Sequence, residues 1–230
     1  MMMEMIASQA PIFSLYGDGT VVFRDPATQP VPDESGILVL PPFRIARLSE
    51  EQIQELLSFA VVEGGLGVAK ARYDNPMVAD AGTATFTINA GGQTKTVDVY
   101  GLGIDDGAPD AAMRARFNAL AARLRAFDQG GTIATDEYNP QAWRAVLFET
   151  GAVPARVAPW PWPNLTPQDF AADGADPTVP AFPSRVMSAA EIAALGLGDL
   201  KGGAMGYFTR GPDGKTYSLA VRPLLPGEEK

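Results

Sequence analysis

The chemistry open to this chain is set first by what it lacks. Its 230 residues include no Cys and no His. Without a thiolate there is no cysteine nucleophile, disulfide, zinc–cysteine site or iron–sulfur cluster. Without imidazole there is no Ser-His-Asp or Cys-His system and no histidine-ligated haem. Catalysis would fall to Asp, Glu, Lys, Tyr or a hard cation. The run Tyr73 to Asp80 is oxygen-rich, with Asp74, Asn75 and Asp80 as candidate metal ligands. Carboxylate and amide oxygens suit Ca²⁺, which takes about six to eight of them. Three are visible here, and the alternative is Asx turns around Pro76. Calcium is the one cofactor these side chains invite.

Trp160-Pro161-Trp162-Pro163 is the most unusual string. Its prolines stiffen the backbone toward polyproline II. Trp160 and Trp162 are therefore candidate ligand-binding residues, a platform for a sugar ring or for an apolar or Pro-rich partner. The alternative is that the segment folds back and both indoles plug the edge of the core. Paired carboxylates can hydrolyse glycosides at a set separation, and Asp18, Asp74, Asp80, Asp105 and Asp106 all fall in loops. With 27 acidic residues such neighbours arise anyway, and solvated turns explain them equally, so no catalytic residue is assigned. Gly101, Gly103 and Gly107 lie between a strand and a helix, where a phosphate loop would sit. The strand belongs to an antiparallel hairpin, and Asp105-Asp106 would repel a pyrophosphate, so a plain connection is expected.

The elements that must position these residues are marked by turns and caps. Gly17-Asp18-Gly19 between apolar runs predicts a hairpin over 12–24. Ser49 with Gln52 forms a capping box, Leu48 and Ile53 a staple, and Ile53, Leu56, Leu57, Ala60 and Val61 an apolar stripe, stopped at Gly64-Gly65. Alternation over 83–100, broken at Ala90-Gly91-Gly92, predicts a second hairpin with one wet face. A second helix is expected with Pro109 at its first position. Met113, Phe117, Leu120, Leu124 and Phe127 form its buried stripe. Arg114, Arg116, Arg123 and Arg125 flank that stripe with heads in water. Its small face, Ala111, Ala115, Asn118, Ala122 and Ala126, is expected to be covered, most simply by the strap. Residues 142–149 read as a strand. Thr166 with Asp169, and Ser188 with Glu191, read as further helix starts, and 204–210 and 217–221 as a last hairpin around Gly211-Pro212-Asp213-Gly214. The stretches 49–100 and 188–223 share the order capped helix then hairpin, either a repeat or two common units.

Proline divides the chain, with eight of the 20 in 154–183. The expected organisation is a ββαββαβ unit over 1–153, a Pro-rich strap over 154–183 and an αββ unit over 184–230, packed with the first as one globule. The fold class is α+β, an antiparallel sheet with two main helices packed on it and the C-terminal αββ unit. The net charge of −9 argues against nucleic acid, and no apolar run is long enough to span a membrane. Met1-Met2-Met3-Glu4-Met5 does not read as a signal peptide.

Phe13-Ser-Leu-Tyr-Gly-Asp-Gly-Thr-Val-Val-Phe23, Tyr73-Asp-Asn-Pro-Met-Val-Ala-Asp80, Tyr100-Gly-Leu-Gly103 and Arg222-Pro-Leu-Leu-Pro226 together resemble uncharacterised exported or lipoprotein-type proteins of bacteria. The resemblance implies an extracytoplasmic or lipid-anchored location, with the export signal upstream of this sequence, and no particular activity. The resulting expectation is a non-catalytic binding or interaction module of the bacterial cell envelope, its partner a protein or a glycan. The alternatives are a carboxylate-dependent hydrolase, Ca²⁺-assisted or not, and an inhibitor-like protein that engages another protein through its hairpin tips.

Overall fold

A computed structural model describes residues 8–25, 30–128, 130–151, 154, 156–172 and 182–228. The chain is α+β. Its first half carries β1 (Phe13–Leu15), β2 (Thr20–Phe23), β3 (Leu38–Val39), β4 (Arg44–Arg47), α1 (Glu50–Ser58) and β5 (Arg72–Tyr73). The hairpin β6 (Thr83–Ala90) and β7 (Gln93–Tyr100) follows, then α2 (Ala111–Arg125), β8 (Thr135–Glu137) and β9 (Trp143–Glu149). The remainder is β10 (Ala158–Pro159), β11 (Ala171–Ala172), β12 (Pro183–Met187), α3 (Ala189–Ala193), β13 (Ala204–Arg210) and β14 (Thr216–Pro223). No described helix is long and apolar enough to cross a membrane.

Two compact units divide the chain differently from the sequence expectation. One comprises Met1–Ser14, Val22–Ala46 and Thr135–Lys230; the other comprises Leu15–Val21 and Arg47–Ala134. Strand β9 pairs with both β14 and β12, so residues on either side of 153 share one sheet. Of the Pro-rich segment, β10 and β11 also join that sheet.

In the first unit the seven-stranded sheet has the order β10-β13-β14-β9-β12-β11, and β3 also pairs with β13. Most neighbours are antiparallel, but β10 runs parallel to β13. Strand β14 sits centrally and is buried almost throughout. One face of the sheet is core: Trp143, Ala145 and Leu147 from β9 and Tyr217, Leu219 and Val221 from β14 meet Met187, Ile192, Trp162 and Phe170. Each large side chain so buried contributes about 1.5–3 kcal/mol. The Ser188–Glu191 capping box starts α3 as expected, with the flanking Met187 and Ile192 both buried. A four-stranded sheet has the order β1-β2-β4-β8.

In the second unit a three-stranded sheet of order β5-β7-β6 forms one wall. The β6–β7 hairpin has the expected register, Ala90 opposite Gln93. Gly91 and Gly92 both have positive φ, 60° and 74°, as a two-residue primed turn demands. Parallel pairing of β5 with β7 was not expected. The core joins Tyr73, Val97 and Val99 to Phe117 and Leu120 of α2. Helix α2 therefore packs on this small sheet, with Phe59 and Ala60 from the turn after α1 against the same core.

Local expectations differ from the structure at four points. Helix α1 is capped by Ser49 and Gln52 as read, but its last turn widens to a π-helix over Phe59–Glu63, and Val61 is exposed. Helix α2 begins after Asp110, which holds φ 58°, so Pro109 lies outside it. Arg114 is not a snorkelling residue. It has no solvent exposure, and its guanidinium donates to the carbonyls of Pro109 (3.2 Å), Tyr100 (3.1 Å) and Tyr73 (3.4 Å). The Pro109 carbonyl thus bonds to a side chain of the helix that was expected to contain it. Ala111, Ala115, Ala122 and Ala126 are exposed, while Asn118 of the same face is half-buried and donates to Asp105.

Candidate functional site

One depression in the first unit is built from residues 30–42, Glu137 and residues 199–202. Strand β3 runs into Leu40-Pro41-Pro42, where proline removes two backbone donors. The segment is held by other bonds. The Leu40 amide donates to Gly203 O (2.9 Å), and Arg24 donates to Pro41 O (2.9 Å) and Gly202 O (3.2 Å). The Arg24 guanidinium also stacks 3.9 Å above the Phe43 ring, and burial lowers its pKa to about 10, still cationic at neutral pH. Gly202 packs directly against the carbonyls of Leu40 and Pro41, where a Cβ has no room.

The hollow holds about 420 Å³ and is lined by Pro30, Val39, Leu40, Pro41, Pro42 and Gly202 on its apolar side. Glu137 at the end of β8, Asp199 and Lys201 form its charged side. Lys201 Nζ lies 2.5 Å from Glu137 and 3.6 Å from Asp199. The Glu137 hydrogen bond, outweighing desolvation and helped by Asp199, raises the Lys201 pKa above its ordinary value. Lys201 is therefore a fixed cation and not a nucleophile or base at neutral pH. A smaller hollow of about 200 Å³, floored by Trp143 and Ile192, shares Asp199 and Lys201 with the first. The Trp143 indole donates to Leu200 O (2.8 Å), which fixes the loop that carries Lys201. The two hollows flank one ammonium. Their combined lining offers apolar contact, one positive charge and two negative ones.

The residues picked from the sequence lie elsewhere. Asn75 is buried, with 2% exposure. Its amide donates to Ile104 O (2.6 Å) and its carbonyl accepts from the Met77 amide (3.1 Å). That is the Asx turn across Pro76. Asp74 is exposed and ion-paired with Arg72 at 2.7 Å, and Asp80 holds φ 54°. Among the described residues no group of three or more acidic side chains is arranged to hold a metal.

Trp162 is 3% exposed and donates to Glu191 O at 2.7 Å. Trp160 is half-buried and donates to Leu165 O at 2.7 Å. The rings stand edge to face, 5.2 Å apart, with Phe170 close to both. Trp162 is thus sunk in the core, while Trp160 packs against it and keeps part of its surface exposed. Thr166 and Asp169 do form a capping box, on a 3-10 turn, Pro167–Asp169. Of the loop carboxylates, Asp18 braces its own hairpin turn by accepting from the Thr20 amide and hydroxyl at 2.9 Å. Asp105 binds Arg114 and Asn118.

Nothing in the sequence marked the Lys201 hollows, because their walls come from residues 30–42, 137–143 and 189–202. The signal within reach was the Leu40-Pro41-Pro42 run, which resists both helix and central strand. The chain matches no protein-family model, no curated protein and no solved structure with which it was compared.

Proposed function

We propose that the chain is a non-catalytic binding module of the bacterial cell envelope, and that the two hollows flanking Lys201 are its binding surface. The observation that carries this reading is an apolar, proline-walled hollow next to a fixed Glu137–Lys201–Asp199 cluster. Such a lining has the few charged groups and the apolar floor that small binding sites use. The envelope location rests on the resemblance of Phe13–Phe23, Tyr73–Asp80 and Arg222–Pro226 to exported proteins.

The ligand class is an extended polypeptide segment with apolar residues and a basic group. Glu137 and Asp199 outnumber Lys201, and the whole chain at −9 favours a cationic approach. A glycan has little indole surface to stack on, since Trp143 and Trp162 are buried and Trp160 is half-buried. The hydrolase alternative would need a carboxyl raised to serve as general acid. Among the described residues, every carboxyl with a resolved shift moves down: Asp18, Asp33, Asp169, Glu191, Asp213 and Glu228.

Random-peptide display against the whole chain tests the proposal. The expected enrichment is for apolar sequences with Lys or Arg. Their affinity should drop at least about tenfold with Val39→Asp, which puts a charge on the apolar wall, and with Asp199→Lys, which reverses the charge balance. No enrichment, or binding indifferent to both substitutions in folded protein, would remove the basis of the reading.

A further inference from the structure

Sheet edges carry unpaired backbone donors and acceptors, and folded proteins keep such edges short, charged or bent. The described edges of this protein follow that rule, with one exception. Strands β1 and β8 have three residues each, and β3, β5, β10 and β11 have two each. Strand β6, at the end of the order β5-β7-β6, has eight. It reads Thr-Ala-Thr-Phe-Thr-Ile-Asn-Ala, with no charge and no proline, and its register with β7 is unbroken from Thr83 to Ala90.

We propose that β6 is an interface at which a second copy of this chain adds edge to edge, antiparallel, to make one continuous sheet. The tight Gly91-Gly92 turn makes Ala90 and Gln93 the closing hydrogen-bonded pair. Alternation then turns the amides and carbonyls of Ala84, Phe86, Ile88 and Ala90 toward β7. Those of Thr83, Thr85, Thr87 and Asn89 point to the open side. The short Thr85–Asp98 and Thr87–Thr96 side-chain contacts, 2.7 and 3.2 Å, fit the closer, non-hydrogen-bonded pairs.

A second copy can use every outward group in one symmetric register, with Thr83 opposite Asn89 and Thr85 opposite Thr87 of the other copy. The two-fold axis then falls at Phe86, which meets its own counterpart, and Ala84 meets Ile88. The pairing is polar on one face and apolar on the other, as β6 itself is. It also places no like charges opposite each other. Between two chains that each carry −9, an uncharged strand is where close approach costs least.

One strand pair is a small contact, and interfaces below about 1,200 Å² are weak, so sedimentation equilibrium is run on the whole chain up to about 0.5 mM. Reversible dimerisation is expected, strengthening with salt as the net repulsion is screened. The variant Thr85→Lys/Thr87→Lys sets Lys against Lys twice and should be monomeric, as should Thr85→Glu/Thr87→Glu. An equimolar mixture of the two should dimerise again. Hydrogen exchange on the unmodified chain gives a readout independent of the variants. The Thr85 and Thr87 amides should exchange slower at high concentration than at low. A monomer across the range, dimerisation unaffected by the Lys pair, or concentration-independent exchange at Thr85 and Thr87 would each overturn the proposal. Protection that arises only with a different protein would assign the edge to that protein instead.

Discussion

Arg114 spends its charge on backbone. With no exposed surface, it satisfies carbonyls at the ends of β5 and β7 and before α2, and pairs with Asp105 at 3.2 Å. Arg114→Met keeps much of the volume but leaves those acceptors buried and unpaired, which should cost about 3 kcal/mol. Arg114→Lys keeps the charge but not the fork, and should recover less than half. Urea unfolding reads both, and a wild-type midpoint for the Met variant would show that the guanidinium is not holding the unit. Gly202 acts through absence. Its missing side chain lets the Leu40-Pro41 backbone pass, so Gly202→Ala should lower stability by about 3 kcal/mol or more, since backbone, not a flexible side chain, must move. The same denaturant curve measures it.

The hairpins and capped helices were readable because their signals are local. Gly91-Gly92 fixes the β6–β7 register, and the Ser49–Gln52 and Ser188–Glu191 boxes start α1 and α3 where the sequence put them. Both turn glycines have positive φ and open space around them. Gly91→Asn should therefore be tolerated, whereas Gly92→Val should lower stability by about 1–2 kcal/mol, a difference thermal melts can resolve. What the sequence hid is non-local. The parallel pairings β5–β7 and β10–β13 carry no turn to announce them. The burial of Arg114 depends on carbonyls from Tyr73 and Tyr100, far from it in sequence. The Lys201 hollows unite three distant segments, so no periodicity or spacing could mark them. The Trp-Pro string is rare, but rarity does not say which way a ring faces: Trp162 lies in the core and Trp160 against it.

Across the whole chain, the titrating groups set a pH window for stability. The carboxyls of Glu191 and Asp18 are held low, first by hydrogen bonds from the Ser188 and Thr20 amides. Burial alone would raise Glu228, but bonds from Arg222 and the Leu225 amide more than offset it. A lowered carboxyl contributes stability above its unfolded value, near 3.8–4.5, and loses it as pH falls through the folded one. Lys201 and Lys215, raised by Glu137 and Glu149, contribute below 10.5 and lose it as pH rises through their folded values. Melting temperature should thus be flat between about pH 5 and 9 and fall on both sides. A maximum at pH 4 would contradict these assignments. Trp143, Trp160 and Trp162 all donate hydrogen bonds from sheltered positions, so native emission should be blue-shifted and resist iodide, and a red-shifted spectrum would argue against this packing. The central place of β14 has a consequence for biosynthesis. Thr216–Pro223 pairs with β9 on one side and β13 on the other, so those strands have no partner between them until the ribosome has passed residue 223. The large sheet cannot be assembled from the N-terminus strand by strand. The β6–β7 hairpin and α2, by contrast, draw on residues already translated by position 125. An emerging chain would therefore hold a long unfinished stretch late into synthesis, which exposes the unfinished sheet to chaperones and proteases.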